Sequence, residues 1–273
     1  ADGAPRRRQA SAHVPMVNDP APPPARSGSL DVRRARRALQ RQLAFQVQKA
    51  RELEGQEDRL RDDMRARSLQ LRAALEMVRP LSPRDRVLEV GSGAHGVIFH
   101  LGDVRGFGCD PLAVEYARLF PGWQRTVPTL SARGEALPFA DAAFTVVICD
   151  NVVDHAEDPA AIVDELVRVL EPGGVLYFSV NVHHPVYALL SRVQRLIDRV
   201  RIPLAIGPFA DHTVHLTPAA ARRLWARHDL MPVLDHYSAS EARTMARRRR
   251  RHPGDLMAAV LFKNARLRLI AVR

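Results

Sequence analysis

The sequence predicts an α/β protein built on a seven-stranded sheet with helices on both faces. Short apolar runs alternate with helical patterns between residues 86 and 181, and two further apolar runs follow near the C-terminus. Alternation of this kind requires parallel strands joined by helical crossovers. The first apolar run leads directly into a glycine-rich stretch, as expected where a strand turns into a helix at the carboxyl edge of such a sheet.

The N-terminal part of the chain divides into a tail and a helical segment. Residues 1–29 are rich in Pro, Ala and Arg and predict a disordered tail, because this composition buries too little apolar surface. Residues 30–79 predict a helical cap, with Gly55 as a candidate break and Pro80 as its end. The apolar positions recur at steps of three and four: Leu39, Leu43, Val47, Ala50, Leu53, Leu60, Met64, Leu71, Leu75 and Val78. A cover over a ligand and a simple packing or dimerisation helix fit this pattern equally.

Residues 80–273 predict the main domain, with an inserted cap at about 183–216. Strands are expected at 86–91, 105–109, 128–132, 144–149, 174–181, 232–238 and 266–272. Helices are expected near 95–101, 111–119, 159–170, 184–200, 217–228, 241–251 and 254–263. Thr217 and Pro218 suit the N-cap and the first position of the helix that they open.

The glycine-rich stretch after the first strand is the strongest single signal for a ligand site. Gly91 and Gly93 lack a Cβ and allow positive φ, so the backbone can approach a ligand closely. With Gly96 and with Asp110 further on, the letters also satisfy a dinucleotide fingerprint. Glu89 favours another ligand, because a carboxylate repels a pyrophosphate and attracts a positively charged amino group.

Several downstream segments, in the same order and at similar spacing, resemble the class I S-adenosylmethionine-dependent methyltransferases. The matching segments are Glu89-x-Gly-x-Gly93, Gly108-Cys-Asp-Pro111, Arg133-Gly-Glu-Ala-Leu-Pro-Phe139, Phe144–Pro159 and Arg168–Phe178. The resemblance covers about residues 84–182, and the nearest subgroup is the small-molecule enzymes typified by quinone biosynthesis. It implies a Rossmann-like, mostly parallel sheet whose last strand is antiparallel, with S-adenosyl-L-methionine as cofactor.

The resemblance also implies which residues hold the cofactor. The backbone at Gly91 to Gly93 would meet the methionine portion, and Glu89 its ammonium group. Asp110 would accept hydrogen bonds from the ribose hydroxyls, although it also suits a helix N-cap beside Pro111. The expected cofactor residues are Glu89, Gly91, Ser92, Gly93, Asp110, Pro111, Gly134, Glu135, Ala136, Asp150 and Asn151.

A small-molecule acceptor methylated at oxygen is the expected substrate, such as a sugar, a polyketide or a lipid-linked intermediate. An oxygen acceptor must lose a proton, so a general base is needed. Candidate catalytic residues after strands four and five are His155, Asp150 and His183, with Asp154 and His184 nearby. For the histidines, a satisfied structural role is the alternative.

Asp211, His212 and His215 could form a metal site together with His183. The spacing alone is weak support, so we expect no metal and a polar lid loop over the pocket instead.

The charge distribution and the composition limit the classes of molecule that this chain is expected to bind. The net charge is +11, but acidic side chains outnumber basic ones between residues 80 and 240, which disfavours a nucleic-acid substrate. The run Arg247–Arg251 suits a solvated face or a contact with an anionic surface. Docking of RNA or protein through the basic ends, and cofactor binding without catalysis, remain alternative functions.

The remaining expectations concern the setting of the chain. Cys109 and Cys149 predict small buried side chains in a reducing compartment. No run of eighteen apolar residues occurs and no secretory signal is recognised, so we expect a cytoplasmic monomer or homodimer without a membrane span.

Overall fold

The computed structural model describes residues 29–52, 55–186, 189, 214–248 and 265–273. Residues 1–28 of the expected tail 1–29, most of the expected cap 183–216 with its helix 184–200, the expected helix 254–263 and Arg249–Arg251 lie outside these residues. No helix among the described ranges is both long and apolar enough to cross a bilayer.

A single seven-stranded sheet organises the described part of the chain. Its strands are β1 (Arg86–Val90), β2 (Arg105–Cys109), β3 (Thr129–Leu130), β4 (Phe144–Asp150), β5 (Leu170–Val182), β6 (Met231–Tyr237) and β7 (Ala265–Val272). They lie side by side in the order β3-β2-β1-β4-β5-β7-β6. The first five are parallel, and β7 runs antiparallel to both neighbours, as the sequence analysis predicted.

Helices cover both faces of the sheet. They are α1 (Ser29–Glu52), α2 (Glu57–Glu76), α3 (Ala113–Leu119), α4 (Pro121–Gln124), α5 (Pro159–Val169), α6 (Pro218–Trp225) and α7 (Ala239–Arg248), with 3-10 turns at Val97–His100 and Val153–His155. The expected helix 95–101 is therefore only a four-residue 3-10 turn, and α4 was not predicted. Pro121, which supplies the first position of α4, starts a separate helix after α3 ends.

Two apolar layers pack against the sheet. On one face, α5 and α6 bury Ile162, Leu166 and Trp225 against β4, β5 and β7. On the other, α2 buries Leu71 and Leu75 against β1, β4 and the first 3-10 turn. Gly55, with φ of +79°, separates α1 from α2 as expected, because this conformation favours glycine.

Local caps agree with the sequence. Thr217 Oγ1 accepts a hydrogen bond from the Ala220 amide at 3.1 Å and caps α6. Cys109 and Cys149 are free and buried, and burial raises the pKa of Cys109 to about 12.

Because β1, β2, β4 and β5 are parallel, their carboxyl ends meet at one edge of the sheet, where ligands bind in sheets of this type.

Candidate active site

The turn after β1 is closed on one side and open on the other. Gly91 and Gly93 have φ of +71° and +60°, and the Gly91 amide donates to the Cys109 carbonyl at 2.7 Å. A Cβ at Gly91 would lie 2.3 Å from Val152 Cγ2, whereas a Cβ at Gly93 would meet no atom within 4 Å. The backbone at Gly93 therefore faces free space at the carboxyl edge of the sheet.

Glu89 joins the turn to the first 3-10 helix. Its side chain is buried, and its two oxygens accept hydrogen bonds from the amides of Val97 at 3.3 Å and Ile98 at 2.9 Å. Burial raises the pKa of Glu89 to about 8; the Ile98 hydrogen bond opposes this rise, and the charge of Asp150 adds to it. Glu89 thus shapes the turn itself, and its pairing with a cofactor ammonium stays a prediction.

Asp110 holds the turn from the end of β2. One carboxylate oxygen accepts from the Gly93 amide at 3.0 Å and the other from the Leu112 amide at 2.8 Å. Burial raises the pKa of Asp110, and these two hydrogen bonds oppose the rise. The N-cap of α3 is Leu112, without a side-chain hydrogen bond, so Asp110 braces the turn before the helix and is not the N-cap that the sequence left open. Contact with ribose hydroxyls stays a prediction.

Asp150, at the end of β4, forms an ion pair that the sequence analysis did not identify. Its side chain is 5% exposed, and it accepts hydrogen bonds from Arg67 of α2 and from Ser179 of β5. Burial lowers the pKa of the Arg67 guanidinium, but the charge and the hydrogen bond of Asp150, together with the charges of Glu89 and Tyr177, outweigh burial and raise the pKa. The pair connects the N-terminal helices directly to the candidate site.

The candidate catalytic histidines lie in different surroundings. His155 ends the second 3-10 turn, and its side chain is 47% exposed. His183 is fully buried, with its ring centroid 4.8 Å from that of His215, and Asp154 is buried beside them. A solvent-facing group can meet an acceptor without rearrangement, which favours His155 over His183 as the base.

The loop that resembles an adenine contact is braced by an ion pair. Glu135 Oε1 accepts from the Glu157 amide at 3.1 Å, and Arg133 contacts Glu157 at 2.8 Å. Gly134 packs tightly, since a Cβ there would lie 3.2 Å from Ile162 Cδ1. The loops after β3 and β4 are therefore fixed to each other.

Gln124 of α4 is a second residue that sequence reasoning missed. Its side-chain amide donates to the carbonyls of Gly93 and Ala94, both at 3.1 Å, and so clamps the glycine turn from outside the sheet. No pattern in the sequence marks it. Arg67, by contrast, lies four residues before Leu71 on the apolar stripe of α2. A charged residue among apolar positions indicates a partner on the packed face, so the sequence could have identified Arg67.

Three polar atoms around the turn lack a hydrogen-bond partner among the described residues. These three buried atoms are Ser92 Oγ, Gln124 Oε1 and Asn151 Oδ1. A buried polar atom without a partner is costly, so a bound group that hydrogen-bonds to such an atom is stabilised. The described residues form no group of three or more potential metal ligands, and Asp211 and His212 lie outside them.

Comparisons with known proteins agree with this geometry. A family model described as a methyltransferase domain matches residues 88–178. A methyltransferase of Mycobacterium sp. (strain JLS) is 31% identical over 113 residues, which are 40% of this chain and 36% of the relative. A demethylmenaquinone methyltransferase of Mycobacterium sp. (strain KMS) is 31% identical over 152 residues, 53% of this chain and 63% of the relative. The chain spans less than two thirds of either relative.

A solved structure supports the fold. The geranyl diphosphate C-methyltransferase of Streptomyces coelicolor A3(2) superposes with a TM-score of 0.53 at 15% identity, over 74% of this chain and 77% of the other. The strand order, the glycine turn and the matching family model lead to the same assignment. Residues 88–178 are similar to a methyltransferase domain, and the seven-stranded sheet has the Rossmann-like strand order of the class I S-adenosylmethionine-dependent methyltransferases.

Proposed function

We propose that this chain transfers a methyl group from S-adenosylmethionine to a small-molecule acceptor, at oxygen. The observation that carries the proposal is the turn at Gly91–Gly93, which is open at Gly93 and lies near buried polar atoms that have no hydrogen-bond partner among the described residues. A ligand with amino, carboxylate and hydroxyl groups satisfies such atoms, and S-adenosylmethionine has all three.

The residues present fit this cofactor. Asp110 can accept further hydrogen bonds on the free lone pairs of its two oxygens, as the ribose hydroxyls require. The Gly93 backbone has room above it for the methionine portion. When bound, the cofactor supplies an activated methyl group on a positively charged sulfur, so the chain needs mainly to hold the acceptor in line with that group.

An oxygen acceptor has to give up its proton, and His155 is the best-placed base. Asp150 already accepts from Arg67 and Ser179, whereas the ring of His155 reaches solvent at the same edge. An imidazole suits this role because its ordinary pKa lies near neutral pH. In the proposal, His155 would take the proton of the acceptor hydroxyl as its oxygen gains the methyl group, and S-adenosylhomocysteine would be the leaving group.

A small molecule is the favoured acceptor class. One relative is named for a quinone precursor and a structural neighbour for an isoprenoid diphosphate, so both names point to small acceptors. The predominantly acidic middle of the chain also lacks the basic stripe that a long nucleic acid requires.

Two glycines allow a matched test of the cofactor site. Gly93 and Gly173 both have positive φ and free space where a Cβ would lie, but Gly173 precedes the part of β5 that pairs with β7, at the opposite edge of the sheet. Asparagine tolerates this backbone conformation. Gly93→Asn should therefore fold and lose most binding of S-adenosylhomocysteine in calorimetry, while Gly173→Asn should bind like the unmodified chain.

The result that contradicts the proposal is equal binding by both variants, or no binding by the unmodified chain. Oxygen as the acceptor atom is tested separately, by the mass and fragmentation of products from an acceptor panel. Methylation at carbon or nitrogen alone would refute that part and leave the cofactor site intact.

A further inference from the structure

Polar residues form a continuous row across four strands near the carboxyl edge of the sheet. Asp150 of β4 pairs with Ser179 of β5, Ser179 with Arg268 of β7, and Arg268 with His236 of β6. Residues paired across strands point to the same face, so these four side chains lie side by side. We call this set the edge row.

Arg266 extends the positive charge of the edge row. It lies two residues from Arg268 on β7, on the same face, and pairs with Asn181 of β5. Its side chain is half-buried, and that of Arg268 is exposed. Both guanidinium groups lie close enough to Tyr177 to act on its pKa, which burial raises and these positive charges oppose.

Neither arginine has a carboxylate partner among the described residues. Asp150, the one acid of the edge row, is already paired with Arg67. Two arginines of the helices differ in this respect, since Arg168 binds Glu165 and Arg222 binds Asp235. Within the residues that the structure describes, both guanidinium groups beside the candidate active site are therefore available for an external anion.

We propose that Arg266 and Arg268 bind an oxyanion of the methyl acceptor, either a carboxylate or a phosphate. This inference rests on the proposed methyl transfer and names the class of its acceptor. Guanidinium groups match both anions with paired hydrogen bonds, and the half-buried position of Arg266 strengthens its attraction for an anion. The anion would anchor one end of the acceptor on β7, while the other end extends past Asp150 toward the glycine turn.

The test measures anion binding to the full chain by calorimetry at about 0.15 M salt, where long-range attraction is largely screened. The chain is first saturated with S-adenosylhomocysteine and then titrated with inorganic pyrophosphate or with citrate. Arg266→Gln and Arg268→Gln should each weaken binding about tenfold through lost charged hydrogen bonds. Binding of pyrophosphate alone identifies a phosphate acceptor, and binding of citrate alone a carboxylate.

Arg105→Gln is the matched control. Arg105 is an exposed strand arginine with no side-chain partner in the described part of the chain, and it begins β2 at the opposite edge of the sheet. The change removes the same charge, so anion affinity should stay within about twofold if local contacts dominate. An equal loss in all three variants, or no anion binding by the unmodified chain, overturns the inference.

Cofactor affinity separates this inference from the proposed function. Arg266→Gln and Arg268→Gln should bind S-adenosylhomocysteine as the unmodified chain does, since neither residue touches the glycine turn. A chain that does not bind S-adenosylhomocysteine contradicts the proposed function. A chain that binds it and treats all arginine variants alike contradicts the anion site only.

Discussion

The two halves of the sheet's carboxyl edge use their charged side chains in opposite ways. At β1 and β2, the carboxylates of Glu89 and Asp110 are turned inward and accept backbone hydrogen bonds. At β7, the guanidinium groups of Arg266 and Arg268 are paired with no carboxylate among the described residues. The first half uses charge to build a backbone shape, and the second presents charge to a ligand.

This difference explains why the ligand-binding residues of one half are easier to predict from the sequence than those of the other. A turn that depends on backbone conformation allows few residue types, so its glycines and acids form a recognisable motif. A surface that binds through a few side chains can be built in many ways. The cofactor half consequently carries the family signal, while the acceptor half has to be interpreted from positions and charges.

The largest effect is expected at Gly91, where the cofactor half is most tightly packed. Gly91→Ala should lower the free energy of unfolding by roughly 2–5 kcal/mol, combining left-handed strain with a clash against Val152. It should also abolish measurable binding of S-adenosylhomocysteine. Chemical denaturation and calorimetry measure the two effects.

Gly173→Ala provides the comparison, because it has a similar φ and free space around the added Cβ. Its free energy of unfolding should fall by the backbone strain alone, about 1–2 kcal/mol, and its binding of S-adenosylhomocysteine should not change. Equal losses of stability and equal cofactor binding in the two variants would mean that Gly91 is not closely packed against Val152.

His155 tests the boundary between the halves. His155→Ala should reduce turnover about 100-fold through loss of the base, with cofactor affinity within about threefold of the original. The assay follows S-adenosylhomocysteine released with an acceptor found by screening. Added imidazole should restore part of the rate; an equal fall in turnover and cofactor affinity, without rescue, would identify a structural residue.

Substitution of Asp110 should change the affinity for the cofactor and leave the affinity for the acceptor unchanged. Asp110→Asn should weaken S-adenosylhomocysteine about tenfold, because charged hydrogen bonds to the ribose and to the Gly93 amide become neutral. Pyrophosphate binding should not change. Unaltered cofactor affinity would remove Asp110 from the site.

Glu89 should give the smallest effect, in the pH dependence of stability. Its pKa rises from an ordinary 4.5 to about 8 on folding, so the folded chain retains a proton that the unfolded chain loses. Its contribution to the free energy of unfolding is full below about pH 4.5 and is lost as pH rises toward 8.

Glu89→Gln removes this contribution, and Glu57→Gln, at an exposed position, serves as the control. Chemical denaturation from pH 5 to pH 8.5 should show the unmodified chain losing more stability with rising pH than Glu89→Gln does. Parallel profiles for the two would mean that burial does not perturb Glu89.

The sequence predicted the sheet well and the contacts between distant elements poorly. All seven strands and the antiparallel last strand follow from apolar runs, turn residues and the family resemblance. The helix at 95–101 was too long, because Gly96 and the hydrogen bonds of Glu89 favour a short 3-10 turn over a full helix. Strand β5 begins at Leu170, earlier than the expected residue 174.

The site could be predicted only where local conformation defines it. Gly91, Gly93 and Asp110 lie together as the motif requires. Arg67 and Gln124 act on residues 83 and about 30 positions away, so no local pattern reveals their partners. The expected separation into a helical cap and a main domain stays a prediction, although the pair Arg67–Asp150 already joins the two.

A crystal structure of the chain soaked with S-adenosylhomocysteine tests the central claim most directly. We expect density for the ligand along Gly91–Gly93, with the ribose hydroxyls within hydrogen-bonding distance of Asp110. Density for the ligand at another place, or a dinucleotide held in this turn in its stead, would contradict the account.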